Sequence, residues 1–183
     1  MIDPLFVTVA TVFIGLFFVM SGLHKVTNRV GFLETLSDYQ LLPYGLLGVV
    51  AIALPLAEIT IGVVLLLPST VLPLMLLHSV ANAAALLLAL YSVAMAINIY
   101  RGRVHIDCGC SFQQRKITLS NWHLLRNALL IGLVLVIRLP MTDRVLFWPD
   151  FINMLAALTG LGLIYLSTET LLANRTYIIT GDI

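Results

Sequence analysis

The chain has 183 residues, of which 60% are hydrophobic and only 10% charged, with a mean hydropathy of +1.03. Soluble domains carry roughly 25% charged residues, so the composition excludes an ordinary soluble domain and indicates a polytopic membrane protein. A formal net charge of +1 gives no electrostatic footprint for nucleic acid or an acidic polymer.

The N-terminus lacks the basic start and small-residue cleavage site of a signal peptide. Asp3 and Pro4 lead into an apolar run, which is expected to stay in the protein as a helix. Five spans follow, each near the roughly 20 apolar residues that a bilayer demands. The first covers about 5–21, and Gly22, His24 and Lys25 mark its exit. Residues 26–43 read as a connector too short for a domain, ending in the turn signal Leu42-Pro43. The second span covers 44–67 and turns at Pro68-Ser69-Thr70, where Ser69 or Thr70 can cap the third, over 71–100. The polar segment 101–121 follows. Ser120 or Asn121 then caps a fourth span that stops before Pro140. A connector with Thr142, Asp143 and Arg144 leads past Trp148, expected at headgroup level. The fifth span covers about 151–166, and a polar tail runs to Ile183. The expected fold is an all-α membrane protein, a four-helix transmembrane bundle plus one additional helix. Residues 1–183 form a single transmembrane domain in contact with membrane lipid, with 101–121 as its polar loop.

That loop holds the only two cysteines, in the triplet Cys108-Gly109-Cys110. A disulfide across one intervening residue needs a tight ring, and glycine is the residue that best tolerates it. Such a bond is oxidising and labile and closes too small a loop to stabilise the fold much, which suits thiol–disulfide exchange better than stapling. Two plainer readings stand beside it. Cysteines in membrane chains are often small buried hydrophobes, and His105, Asp107, Cys108 and Cys110 could together ligate a metal. The polar flanks argue against the first. The adjacent spacing makes a tetrahedral cage awkward, so no metal is expected. Arg101, Arg103 and His105 would favour a thiolate, and Asp107 would oppose it.

Glu58 lies mid-span, one turn after Pro55, whose ring frees the carbonyl of Ala51. An intramembrane carboxyl is costly and by default a functional-site candidate facing the bundle interior. It can carry protons that accompany quinone reduction, or it can be a neutral structural group joining two helices. His78 and Asn82, four apart on the third span, share a face and are candidates to pair with Glu58 or to contact a quinone. His123, Arg126 and Asn127 open the fourth span. Arg126 is expected to snorkel to the headgroups, or else to hold a quinone oxygen or steady a thiolate, with Asn127 beside it. Ser21, His24 and Lys25 are candidates to line the same mouth, and Trp122 reads as an aromatic-belt anchor.

Several segments together carry a resemblance. They are Ser21-Gly22-Leu23-His24-Lys25, Tyr39-Gln40-Leu41-Leu42-Pro43, Pro55-Leu56-Ala57-Glu58, Asp107-Cys108-Gly109-Cys110 and Arg126-Asn127. Over most of 5–140 the chain resembles the MauE family of bacterial methylamine-utilisation clusters, and more distantly DoxX-like and vitamin K epoxide reductase-like four-helix bundles. The resemblance implies maturation of the methylamine dehydrogenase small (beta) subunit, with a thioredoxin-like protein, MauD, as partner. It implies a bacterial inner membrane, with the cysteine loop on the periplasmic side. A partner dithiol would attack the Cys108–Cys110 disulfide, and the electrons would pass to membrane quinone. No second cysteine pair is present to relay them, so any relay comes from a partner. Charge opposes that orientation. With five spans, Lys25, Arg29, Arg101, Arg103, Arg115, Lys116 and Arg175 share one side and Arg138 and Arg144 the other, so the positive-inside rule would put the cysteines in the cytoplasm. Disulfide formation requires the opposite face. A DoxX-like quinone-reducing electron-transfer subunit and a non-enzymatic assembly or export factor are the alternative readings.

Overall fold

The computed structural model describes residues 2–68, 72–103, 106, 119–142 and 144–180, without the side chains of 172, 173 and 175–180. Among the described residues there are six helices: α1 Pro4–Thr27, α2 Arg29–Tyr39, α3 Tyr44–Leu66, α4 Leu74–Tyr100, α5 Asn121–Val136 and α6 Trp148–Thr180. Among the described residues there is no strand, only an isolated bridge between Ile2 and Met141. The all-α, multi-span bundle expected from the hydropathy is the observed fold. Among the described residues four helices (α1, α3, α4 and the first 24 residues of α6) are long and apolar enough to cross a bilayer, and α5 is a shorter apolar helix of 16 residues.

Four boundaries differ from the sequence reading, the first being the end of α1, which runs to Thr27 and not to 21. The connector 26–43 is mostly helix, because Phe32, Thr35 and Tyr39 recur at helical spacing and bury one face of α2 against the bundle. Its end is turned by Gln40, which adopts a left-handed conformation at φ 47°. The third span starts at Leu74, where Pro73 holds the extended conformation before the first turn. Ser69 and Thr70, its expected caps, lie outside the described residues. The last helix continues well past 166, since the hydroxyls of Thr168 and Thr170 bond back to Tyr165 O and Leu166 O within the helix and do not break it. Ser120 does cap α5, its N–H donating to Nδ1 of His123 at 3.2 Å.

α1 is the central helix, packing on α2, α3, α5 and α6. Ile14, Phe17 and Phe18 of α1 enter a core completed by Leu65, Leu88, Val134 and Ile137. α4 turns Leu77, Ala81, Ala84, Leu88, Met95 and Asn98 inward, a stripe at spacings of three, four and seven residues. The opposite faces are apolar as well: Leu46, Val49, Ile52, Leu56 and Val63 line the outside of α3. An outward apolar stripe is what lipid requires of a spanning helix.

The α1 N-terminus is fastened to the connector before α6. Ile2 N donates to Pro140 O at 2.9 Å, Thr142 N donates to Ile2 O at 3.0 Å, and Arg144 bridges Asp3 and Asp150. The hydrogen bond to Asp150 holds the Arg144 guanidinium above its ordinary pKa. At the opposite end, Gly102 at φ +72° closes α4: its N–H bonds Ile99 O and that of Arg103 bonds Asn98 O. α4 therefore ends, and α5 begins, at the end of the bundle occupied by α2 and the C-terminus of α1.

Candidate functional site

Glu58 faces the bundle interior and is 1% exposed. Its principal partner is Lys25 of α1, 2% exposed, whose Nζ donates to Oε1. Ser21 Oγ lies 3.4 Å from both carboxylate oxygens, and Tyr91 OH of α4 donates to Oε1 at 2.8 Å. Lys25 Nζ also donates to Ser21 Oγ at 3.1 Å and sits 4.8 Å and 5.5 Å from the ring centres of Tyr91 and Phe32. A carboxylate and an ammonium in hydrocarbon each carry a large desolvation penalty, offset only by each other and by added hydrogen bonds. Ser21 and Tyr91 supply those bonds. The cluster is overall neutral.

The local sequence makes this possible. Gly22 lets α1 approach α3, where its missing side chain would meet Pro55 O and Glu58 Cβ. α1 runs on to Thr27 with no break at Gly22, so Lys25 stays in the helix and points inward from it. A lysine expected at the mouth of the first span is thus inside the bundle, and one of the cations counted for orientation is internally paired.

Beside this cluster, α2, α3 and α4 enclose a partly open cavity of about 240 Å³. Lys25 and Tyr91 line it together with the apolar side chains of Phe32, Leu54, Leu87, Ala94 and Met95, among others.

His78 and Asn82 do not join Glu58. Both lie one position past the buried residues Leu77 and Ala81, with His78 half-buried and Asn82 exposed. Nine residues separate Asn82 from Tyr91, about two and a half turns at 3.6 residues per turn, so the two face opposite ways.

Arg126 does not snorkel. It is buried, its Nη1 bonding Glu169 Oε1 of α6 at 2.6 Å and lying 3.4 Å from Tyr165 OH. Asn127 is buried on the adjoining face, its Nδ2 donating to Ser92 Oγ at 3.2 Å. His123 is fully buried, with Nδ1 in the α5 cap. Glu169 is hidden in the sequence by its place in the polar tail; the one signal for it is the cation Arg126 in an apolar span. Replacing Arg126 by Met should leave Glu169 without its partner and loosen the second half of α6. Amide exchange of α6 around Glu169, compared with α1, will rise selectively if the pair holds that segment; equal exchange in both proteins would refute the role.

Cys108, Cys110 and the neighbouring His105 and Asp107 lie outside the described residues. Among the described residues, no group of three or more His, Cys, Asp or Glu could hold a metal ion.

These features define a multi-span helical membrane protein whose bundle encloses ion pairs and, beside one of them, a largely apolar cavity. A family model, methylamine utilisation protein MauE, matches residues 3–140. The methylamine utilization protein MauE of Paracoccus denitrificans is 34% identical over 173 residues, covering 93% of this chain and 89% of that protein. That of Methylophilus methylotrophus is 32% identical over 169 residues, covering 91% and 86%. The chain belongs to the MauE family. No solved structure matches it.

Proposed function

We propose that this protein serves methylamine utilisation from the bacterial inner membrane, by supporting disulfide formation in the methylamine dehydrogenase small subunit. Cys108 and Cys110, the only cysteines in the chain, are the observation that carries this reading, and membership of the MauE family supports its context. A thioredoxin-like partner, MauD, presents a dithiol on the periplasmic side. One partner thiolate attacks a sulfur of the Cys108–Cys110 disulfide, and the second partner thiol resolves the mixed disulfide. The partner leaves oxidised, and Cys108 and Cys110 hold its two electrons and two protons as thiols. A membrane quinone supplies the two-electron oxidising capacity that restores the pair, leaving as quinol. The chain's own part is to hold that exchange beside a low-dielectric bundle in which Glu58 is buried with a proton-bearing neighbour, Lys25.

The test is Cys108→Ser and Cys110→Ser, singly and together, with growth on methylamine and the disulfide state of the dehydrogenase subunit as readouts. Either single change should abolish both. Full maturation in the double variant would end the exchange reading and leave an assembly factor. Alkylation of whole cells with a membrane-impermeant reagent checks the side: labelling only after reduction supports an oxidised periplasmic pair, whereas thiols reached only after permeabilisation overturn it.

A further inference from the structure

The Lys25 ammonium has three N–H donors. One goes to Glu58 and one to Ser21, while Lys25 is among the residues lining the cavity between α2, α3 and α4, as are Phe32 and Tyr91, whose rings lie 5.5 Å and 4.8 Å from its Nζ. Its remaining hydrogen is therefore available to an acceptor in that space. The rings of Phe32 and Tyr91 flank the ammonium, and the rest of the lining is almost wholly apolar. Because Glu58 already neutralises Lys25, the site offers a directional donor without net positive charge. An anionic lipid headgroup gains little from such a site. A neutral carbonyl on a flat apolar ring gains a hydrogen bond, ring contacts and burial.

Size agrees. At about 240 Å³ the cavity falls just below the roughly 300 Å³ at which pockets for drug-sized ligands begin. It accommodates a single ring, and its partial opening leaves a lipid-soluble tail to run out along the helices. Tyr91 and Glu58 lie well inside two membrane-length helices, a depth that such a molecule reaches from within the bilayer.

We infer that the α2–α3–α4 cavity is the binding site for the ring of a membrane quinone, one carbonyl oxygen of which accepts a hydrogen bond from Lys25. Tyr91 and Glu58 are positioning residues, holding the ammonium against the cavity wall. The inference rests on the quinone half of the proposed function and moves that site away from His78, Asn82, Arg126 and Asn127. It is a statement about binding and needs no assumption about which cysteine exchanges with the partner.

The experiment uses the full chain in lipid nanodiscs and a short-tailed ubiquinone bearing a photoreactive azido group. Labelled peptides should come from α2 and from the part of α4 containing Tyr91, Ala94 and Met95, and unlabelled ubiquinone should compete. Ala94→Trp, which fills the cavity from α4, should reduce labelling about tenfold or more; Leu54→Trp, entering from α3, gives the same test if the first variant fails to fold. Tyr91→Phe should shift the competition curve to weaker binding without moving the label. Label spread over outward residues such as Leu46 and Val49, or indifferent to both tryptophans, overturns the site, as does equal competition by a phospholipid with no ring. The Cys108→Ser/Cys110→Ser variant separates the two ideas. Its labelling should be undiminished, and it remains so even if thiol exchange is disproved. Cysteine-dependent maturation with no cavity labelling would remove the site alone.

Discussion

Lys25→Met is expected to destabilise the bundle by about 3–5 kcal/mol, the cost of breaking one partner out of a buried ion pair. The reason lies in what remains. Glu58 would keep Ser21 and Tyr91, neither of which neutralises a carboxylate that is 1% exposed. Glu58→Leu should be comparably damaging, because it leaves the ammonium buried with one hydroxyl and two aromatic rings. The double variant Lys25→Met/Glu58→Leu removes both charges and should recover most of the loss, within about 1–2 kcal/mol of the parent. Reversible unfolding in detergent micelles, run as a double-mutant cycle, measures the coupling. Single variants as stable as the parent, or a double variant no better than the singles, would show that the pair does not exist inside the bundle. The double variant also divides structure from function. If it folds yet fails to support methylamine growth, the charges serve chemistry or binding; if it supports growth, they serve packing alone.

Hydropathy was a good guide to what crosses the membrane and a poor one to what lines the inside. The second and third spans lie within a few residues of α3 and α4, because apolar runs ending at Pro43, Pro68 and Gly102 leave little choice. α2 was missed since its buried set is only Phe32, Thr35 and Tyr39, too few positions to show a period. Glu58 was legible because a lone mid-span carboxyl has almost no innocuous explanation. Its partner was not. Polar residues on the neighbouring span drew attention to His78 and Asn82, yet the stripe of Leu77, Ala81, Ala84, Leu88 and Met95 already selects Tyr91, three residues past Leu88, as an inward position. Lys25 was misread for a different reason: three residues past a glycine, it looked like the end of a span. Whether a helix continues there depends on α2 folding back over it, a tertiary fact that periodicity does not carry. Glu169 repeats the lesson at the other end, since only Arg126 across the bundle makes a helical turn in the tail worth burying.

Gly62→Leu should prevent α1 and α3 from meeting, and Gly62→Ala should already cost about 1–3 kcal/mol by overpacking. A Cβ built at Gly62 falls 2.7 Å from Gly15 O and 2.7 Å from Val19 N, both backbone atoms of α1. A side chain can rotate away from such a contact; a helix backbone moves only as a whole. In lipid no hydrophobic force holds two helices together, so their association rests on close van der Waals contact at small residues. Gly15 and Gly22 share the seam, but the nearest atoms at Gly15 include the flexible Leu66 side chain, so Gly62 is the less forgiving position. It also stands four residues, about one turn, after Glu58. Pushing the helices apart there separates Glu58 from Lys25, so the damage should exceed simple overpacking and should be partly non-additive with Lys25→Met. Gly132→Ala and Gly160→Ala are the controls: a Cβ at either has nothing within 4 Å, and each lies inside a helix, where alanine should be neutral or stabilising by up to about 1 kcal/mol. Thermal unfolding of the four variants in one detergent decides the matter. Equal midpoints for Gly62→Ala and Gly132→Ala would mean that α1 and α3 do not touch at this seam, and the buried pair that depends on their contact would have to be abandoned with it.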